Sequence, residues 1–364
     1  SLSRGEHNIW YEYTNKNEKF GYSNIFSLNI NELFNQVKKD VKSKYRIFDT
    51  TSGSHPLIIK DSCEIFMGLF IDFLKKNKIQ AILVSEDITE IGALICEAGS
   101  QLGILSIHVP HYQYLDRQLD WRHSTLNADY VFAGGGATAS LFKGWGIIDE
   151  RIRITGNPSY DRFFDAIKKR GTYRKIVRDD LKISDRTVIG FFTTYGGCDE
   201  YNRTLRMLFN ELVQFDLRDK VAVIIKDRPG NTDNWKIFTH QNHALFSAVK
   251  AKVAVRYCSD NVEVILPAID LVLSVCSNVS LDASFFSIPQ IIWNPFLTEK
   301  RSFLEGFWVF EKYQTAEIDL RLTLDDLRSE SFESCAIDPH EFQAYGIDGN
   351  SGERVCTELF SLVK

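Results

Sequence analysis

The chain has 364 residues, 44% of them hydrophobic and 25% charged, and its formal net charge is -5. This composition is typical of a folded globular protein and excludes an intrinsically disordered chain. The length exceeds what one ordinary hydrophobic core encloses, so we expect two domains. Basic and acidic residues are spread along the sequence, which argues against duplex nucleic acid as a partner.

Cysteine usage and hydropathy indicate the compartment. Seven cysteines are scattered without a C-x-x-C pair, so neither a disulfide framework nor a zinc site is predicted. No apolar run approaches the roughly 18 residues that span a bilayer, and no signal peptide opens the chain. We expect a cytoplasmic protein. Basic clusters such as Lys168-Lys169-Arg170 leave open a peripheral contact with the inner face of the cytoplasmic membrane, and the start at Ser1 leaves open a longer polypeptide.

The first half of the chain alternates between the two kinds of hydrophobic periodicity. Helices are predicted over 31–45, 65–76, 88–102 and 137–145, and strands over 81–85, 104–109, 130–133 and 152–155. Such alternation indicates a parallel sheet with crossover helices. The charged segment 161–185 has no strand pattern and is assigned to the region of the domain hinge.

A second alternating series follows the charged segment. Strands are predicted over 187–193, 221–226, 253–257, 271–275 and 290–293, and helices over 202–215, 235–250, 261–268 and 280–286. We therefore expect an N-terminal domain over 1–165, a C-terminal domain over 166–330 and a helical tail over 331–364.

Residues that follow predicted strands are the first candidates for ligand contacts, because ligands of open parallel sheets bind outside the carboxyl ends of the strands. Thr193, Thr194, Tyr195 and Gly196 follow the strand 187–193. Small hydroxyls and glycine allow backbone N–H groups to approach a phosphate there. A plain strand-to-helix turn is the alternative.

Two cations follow the next strand. Lys226 ends it, and Arg228 stands beside a Pro-Gly turn. Lysine and arginine at a strand end neutralise a diphosphate. The alternative is a surface turn.

A cluster of hydroxyls follows the strand 271–275, where the next helix begins. Its members are Ser274, Ser277, Asn278 and Ser280. The free N–H groups and the positive dipole end of a helix favour a phosphate at such a junction. Ser280 is the predicted N-cap. Asp282 either accepts hydrogen bonds from a ribose diol or only complements the helix dipole.

The turn Gly156-Asn157-Pro158 follows the strand 152–155. Glycine, asparagine and proline satisfy the geometry of a turn between domains without any ligand. The position at the domain hinge also makes Asn157 a candidate ligand contact.

These segments together carry a family resemblance. Gly156-Asn157-Pro158-x-x-Asp161, Lys226-x-x-Pro229 and Ser274-x-x-Ser277 before Asp282-Ala283 resemble GT-B glycosyltransferases of the bacterial capsule, lipopolysaccharide and teichoic-acid group, whose relatives include non-hydrolysing UDP-GlcNAc 2-epimerases. The likeness covers about residues 80 to 360. It implies an α/β fold of two facing, doubly wound Rossmann-like domains with a cleft between them, and a nucleotide held by the C-terminal domain.

The sequence also departs from this group. Many retaining members have a glutamate where this chain has Ser274, and they have a Glu-Ala pair where it has Asp282-Ala283. Arg228-Pro229 stands where related enzymes have His-Pro. The donor sugar therefore does not carry over from the resemblance.

The resemblance implies transfer of a sugar from a UDP-, CDP- or CMP-linked donor to a saccharide or lipid-linked saccharide during the assembly of a surface polysaccharide such as O-antigen or capsule. The base or nucleophile then comes from the N-terminal domain. Glu86, Asp87 and His111 follow strands there and are the predicted catalytic residues, with His108 as an alternative to His111. A helix cap for either carboxylate and a structural role for the histidines are the competing interpretations.

Two other functions share this fold. One is a nucleotide-sugar 2-epimerase, although Ser277-Asn278-Val279 lacks the glycines usual in that family. The other is a catalytically inactive carbohydrate-binding module. No D-x-D motif lies between predicted strands, so neither a metal nor another cofactor is expected.

Overall fold

The computed structural model describes residues 56–85, 87, 90–111, 126–193, 198–227, 232–274, 277–293, 314–315, 323, 325 and 338–363. The predicted helix 31–45 lies outside the described residues. The chain divides into two compact units. The four-stranded unit comprises the described residues of Arg4–His111, Asp120–Ser159 and Gly352–Lys364, and the six-stranded unit comprises those of Tyr160–Ser351.

Ten strands and twelve α-helices are assigned within the described ranges. The strands are β1 (Ala81–Val84), β2 (Leu105–His108), β3 (Tyr130–Ala133), β4 (Ile152–Ile154), β5 (Thr187–Phe192), β6 (Val221–Lys226), β7 (Ala254–Tyr257), β8 (Leu271–Ser274), β9 (Gln290–Trp293) and β10 (Gln314–Thr315). The helices are α1 (Pro56–Lys76), α2 (Glu90–Gln101), α3 (Gly136–Gly144), α4 (Asp161–Lys168), α5 (Arg170–Asp180), α6 (Cys198–Leu212), α7 (Thr232–Gln241), α8 (His243–Lys250), α9 (Val262–Ile265), α10 (Val279–Phe285), α11 (Pro339–Phe342) and α12 (Ser351–Leu362).

The four-stranded unit contains a parallel sheet of order β1-β2-β3-β4. On one helix, α1, Phe66, Phe70 and Leu74 recur every four residues and pack against the buried strand residues Ile82 and Val84. The helix α12 also contributes to the core of this unit. Its Val355 joins a cluster of buried residues on and after β2 and β3, namely Ile107, Val109 and Phe132.

The six-stranded unit contains a parallel sheet of order β10-β9-β8-β5-β6-β7. Five consecutive residues of β6 are buried, as expected for a parallel strand covered on both faces. The helix α6 contributes an apolar stripe at Leu205, Leu208, Phe209 and Leu212, at the spacing of one helix face. Packing around β5 is close, because a Cβ added at Gly190 would lie 2.3 Å from Cδ1 of Ile269.

The strand order reverses at β5. The chain proceeds from β5 to β6 and β7 on one side and then adds β8, β9 and β10 on the other. A sheet of this order is doubly wound, and its switch point lies between β5 and β8. The predicted α/β class with two Rossmann-like domains is therefore confirmed.

Two predicted segments differ from the structure in the number of helices that they contain. The charged segment 161–185 contains the helices α4 and α5. The single helix predicted over 235–250 is divided into α7 and α8 at Asn242, whose Nδ2 donates to the carbonyl of Phe238 at 2.9 Å while its Oδ1 accepts from Nε of Arg206 at 2.8 Å. Asparagine bonds to nearby backbone in this way and so interrupts a helix. In the part of the chain that the structure describes, no helix combines the length and apolarity needed to cross a bilayer.

Candidate functional site

The carboxyl ends of β5, β6 and β8 meet at the switch point of the six-stranded sheet. Phe192 is in register with Lys226 on one side and with Ser274 on the other. The N–H of Thr193 donates to the carbonyl of Lys226 at 3.1 Å, and its hydroxyl donates to Oδ1 of Asp227 at 3.3 Å. The structure therefore brings the predicted residues Thr193, Lys226 and Ser274 to one edge.

Lys226 is half-buried at this edge. Burial lowers the pKa of its ammonium below its ordinary value, against the opposing charges of Cys258, Asp227, Asp260 and Glu263. A desolvated cation gains more from a bound anion than an exposed one does. Lys226 is thus suited to a phosphate contact.

Ser277 and Asn278 connect β8 to α10 and are both half-buried. The hydroxyl of Ser277 accepts from the N–H of Val279 at 3.4 Å. Oδ1 of Asn278 is buried and has no hydrogen-bond donor among the described residues. A hydroxyl of a bound ligand would supply the missing donor.

The other two serines of the predicted cluster face each other. Ser274 and Ser280 are both 0% exposed, and their hydroxyl oxygens are 2.6 Å apart. The predicted N-cap at Ser280 is wrong, because α10 begins at Val279 and the Ser280 hydroxyl points to Ser274 instead. Their contact with a ligand stays a prediction.

Asp282 lies in the first turn of α10 and is 9% exposed. It forms a side-chain hydrogen bond with Tyr160. Burial raises the pKa of Asp282 to about 7, although the charge of Arg162 and the hydrogen bond from Tyr160 both favour the ionised form. The sequence did not predict this hydrogen bond. The two predicted roles of the carboxylate, a ribose contact and a partner of the helix dipole, stay predictions.

Asn157 lies in a turn at the end of the four-stranded unit. Its Oδ1 accepts from the N–H of Ser159 at 2.9 Å and from its hydroxyl at 2.7 Å. The preceding Gly156 has a φ of +79°, a conformation that favours glycine. These contacts account for the Gly-Asn-Pro sequence by turn geometry, and a ligand contact of Asn157 stays a prediction.

A buried pair of titratable residues lies beyond β1 in the four-stranded unit. Oδ1 of Asp87 is 2.7 Å from Nδ1 of His108, and Oδ2 accepts from the N–H groups of Asn127 at 2.9 Å and Ala128 at 3.1 Å. Burial alone would raise the pKa of Asp87, but the hydrogen bond and charge of His108 and the two backbone donors hold it below its ordinary value. These contacts hold the Asp87 carboxylate in place, and its predicted part in catalysis stays a prediction.

The two residues of this pair lie at the ends of neighbouring strands. Val84 is in register with His108, so the residues that follow β1 lie beside the end of β2. His108 is fully buried, whereas the predicted catalytic residue His111 is exposed. The remaining predicted site residues lie outside the described residues: Glu86, Thr194, Tyr195, Gly196 and Arg228. No group of three or more histidine, cysteine, aspartate and glutamate side chains in the described ranges is arranged to hold a metal ion.

No protein-family model and no curated protein sequence matches this chain. Solved structures do match it. The wall teichoic acid polymerase TagF aligns with a TM-score of 0.51 and 16% identity over 71% of this chain and 68% of its own. The UDP-GlcNAc 2-epimerase of Neisseria meningitidis, solved with UDP-GlcNAc, aligns with a TM-score of 0.57 and 14% identity over 83% and 82%.

A second epimerase gives a similar result. The UDP-GlcNAc 2-epimerase of Methanocaldococcus jannaschii aligns with a TM-score of 0.55 and 18% identity, over 83% of this chain and 82% of its own. Identities at this level establish shared fold and not shared activity. The two parallel sheets and these alignments show that the chain has the two-domain, Rossmann-like GT-B fold.

Proposed function

We propose that this protein is a glycosyltransferase that transfers a sugar from a UDP-, CDP- or CMP-linked donor to a saccharide or lipid-linked saccharide of a bacterial surface polysaccharide. The observation that carries the proposal is the switch-point edge, where Lys226 ends β6 and where Thr193 and Ser277 follow β5 and β8. Open α/β sheets bind ligands at this location. A relative in fold was solved with a nucleotide sugar, UDP-GlcNAc, which supports the same ligand class.

The residues of this edge have distinct roles in the proposal. Lys226 and the hydroxyl of Ser277 bind the phosphate groups of the donor, and Lys226 stabilises the negative charge that develops as the bond from the sugar to the adjoining phosphate breaks. Oδ1 of Asn278 accepts from a hydroxyl of the nucleotide sugar. His111 or Glu86 takes the proton from the attacking acceptor hydroxyl, and Asp87 with His108 shapes the backbone around them.

The test is nucleotide binding measured by calorimetry with UDP, CDP, CMP and NAD. We expect one pyrimidine nucleotide to bind more tightly than NAD, because a relative in fold was solved with the pyrimidine nucleotide sugar UDP-GlcNAc. Lys226→Ala should lower the affinity about tenfold or more, since it removes a charged phosphate contact. Lys220→Ala is the matched control, because Lys220 is exposed and precedes the same strand. Equal affinity of both variants and the parent would remove Lys226 from the site.

A 2-epimerase is the second candidate, and the alignments with two UDP-GlcNAc 2-epimerases over 83% of the chain favour it. Incubation with UDP-GlcNAc in D₂O separates the two reactions. Epimerisation at C2 exchanges the hydrogen on that carbon for deuterium, whereas transfer releases UDP and leaves C2 unlabelled. Binding without either outcome, for all donors and acceptors offered, would indicate the inactive carbohydrate-binding module.

A further inference from the structure

An open surface cavity of about 560 Å³ lies at the amino edge of the six-stranded sheet. Thr187 begins β5, Asp270 precedes β8 and Pro289 precedes β9, and all three line the cavity. Because these strands are parallel neighbours, their starts meet at the edge opposite the proposed nucleotide site. A ligand of this cavity would therefore be distinct from the nucleotide sugar.

Three arginines line the cavity, and one carboxylate pairs with two of them. Nη2 of Arg174 and Nη2 of Arg178 each lie 2.6 Å from a different oxygen of Asp270. The same carboxylate also accepts from the N–H of Val188 at 2.8 Å. Asp270 thus accepts three hydrogen bonds and compensates only one of the two positive charges.

The other arginine hydrogen bonds go to neutral carbonyls. Arg186 donates from Nε to the carbonyl of Arg218 at 3.0 Å and from Nη1 to that of Lys182 at 2.9 Å. Nε of Arg178 donates to the carbonyl of Ala268 at 2.9 Å. Carbonyl oxygens satisfy hydrogen bonds without neutralising charge. The remaining carboxylate of the lining, Asp185, is exposed and forms no ion pair with any described residue.

The guanidinium groups also act on each other. Arg178 is 7% exposed, and burial lowers its pKa, with the positive charge of Arg174 adding to the effect and Asp270 opposing it. Two like charges held close together at a partly desolvated site are stabilised by an anion. The cavity therefore has an excess of positive charge in a protein whose net charge is negative.

We propose that this cavity binds a phosphate-bearing ligand between Arg174 and Arg186. Planar guanidinium groups match the oxygens of phosphate, and Nε of Arg174 and Nη2 of Arg186 have no hydrogen-bond acceptor among the described residues. Thr187 lies in the same lining. A soluble phosphate monoester and the headgroup of an anionic phospholipid share this chemistry, and the experiment below separates them.

The first arm measures pyrophosphate binding by calorimetry at constant ionic strength. We expect Arg186→Gln to lower the affinity about tenfold or more while retaining the parent's circular dichroism. Arg206→Gln is the matched control, because Arg206 is an exposed arginine of the same unit whose Nε bonds to Asn242. Arg174→Gln provides a second variant if Arg186→Gln does not fold.

Pyrophosphate could also bind at the proposed nucleotide site, so Ser277→Ala is measured in parallel. Ser277→Ala should retain the binding that Arg186→Gln loses, whereas Arg186→Gln should retain UDP binding. Pyrophosphate affinity that depends on Ser277 and not on Arg186 would overturn the proposal for the cavity. This result is distinct from failure of the proposed function, which would appear as absent nucleotide binding.

The second arm measures flotation with vesicles of phosphatidylcholine alone and of phosphatidylcholine mixed with phosphatidic acid. Flotation that requires phosphatidic acid and Arg186, but not Arg206, identifies the lipid headgroup as the source. Pyrophosphate binding without flotation identifies a soluble phosphate ligand. A weak site has a dissociation constant in the millimolar range, so pyrophosphate is tested up to about 10 mM. If the parent binds neither pyrophosphate nor the anionic vesicles, the inference is wrong.

Discussion

The side chain of Tyr160 is hydrogen-bonded to the carboxyl group of Asp282, so the first described residue of the six-stranded unit is joined to the first turn of α10. Tyr160 is 4% exposed, and its ring meets that of Phe285 at 5.0 Å between centroids in an edge-to-face contact. Arg162 and Glu263 are the charged groups that act on this carboxyl group from α4 and α9. The helix α11 also contacts α10, and its charged side chains are exposed.

Asp282→Asn should change how stability depends on pH. The pKa of Asp282 is about 7 in the folded protein, against an ordinary value of 3.8, so the folded state holds a proton that the unfolded state releases. The parent therefore loses stability as the pH rises from about 4 to about 7. At about 1.4 kcal/mol per pKa unit, this loss is at most about 4 kcal/mol.

Asparagine does not titrate, so Asp282→Asn should lack this loss and gain stability relative to the parent as the pH rises. Urea unfolding at pH 5 and pH 8 measures the difference. Asp165→Asn, at an exposed carboxylate of α4, is the control and should follow the parent. An unchanged pH dependence in Asp282→Asn would show that Asp282 does not titrate in this range.

Tyr160→Phe removes the phenol and retains the ring. The hydrogen bond from Tyr160 favours ionised Asp282, so its loss should raise the pKa of that carboxyl group further and lower the free energy of unfolding by about 1 to 3 kcal/mol at pH 8. The destabilisation should be smaller at pH 5, where Asp282 is protonated. Tyr173→Phe, at a half-buried tyrosine of α5, is the control. Equal destabilisation at both pH values would count against a hydrogen bond to an ionised carboxylate.

Ser277→Ala should affect nucleotide binding, whereas Ser274→Ala should affect stability. Ser277 borders the proposed phosphate position, so its loss should weaken nucleotide binding about ten- to a hundredfold with little change in melting temperature. Ser274 bonds to Ser280 in the interior, so its replacement should cost about 1 kcal/mol of stability. Ser284→Ala, farther along α10, is the control for nucleotide affinity. Strong nucleotide binding by Ser277→Ala would exclude the assigned phosphate contact.

Asp87→Asn should destabilise the four-stranded unit in a pH-dependent way. The pKa of Asp87 is lowered in the folded protein, so its contribution to stability is present above about pH 4 and is lost as the pH falls through the folded pKa. The variant should lose about 2 to 4 kcal/mol at pH 7 and approach the parent below pH 4. Asp72→Asn, at an exposed carboxylate of α1, is the control for unfolding followed by circular dichroism. A deficit that is constant with pH would indicate lost packing rather than lost charge.

Much of the fold could be predicted because the buried strands are continuous apolar runs. The strands β3, β6 and β9 begin and end where the sequence predicts. The helices α4 and α5 were not predicted, because few of their residues are apolar and buried. Arg178 of α5 is buried through bonds to Asp270 and to carbonyls that are distant in sequence, and no periodicity reports such contacts.

The candidate site also has a part that could be predicted and a part that could not. Lys226, Ser277 and Asn278 could be predicted because they follow strands, and strand ends converge by topology alone. The pairing of Asp282 with Tyr160, and that of Asp87 with His108, joins side chains that are far apart in the sequence. A short motif has no information about such partners. The sequence therefore predicts which residues reach the edge of the sheet. It does not predict which of their side chains bond to another side chain of the protein.

The position of α12 has a consequence for biosynthesis. Val355 completes the cluster formed by Ile107, Val109 and Phe132, and Nε of Arg354 donates to the carbonyl of Thr155 at 2.7 Å. A ribosome therefore releases the strands of the four-stranded unit long before the helix that covers them. The six-stranded unit, whose described strands are all translated between these two parts, can fold first. The apolar cluster at Ile107, Val109 and Phe132 therefore stays incomplete in the nascent chain until α12 has been synthesised.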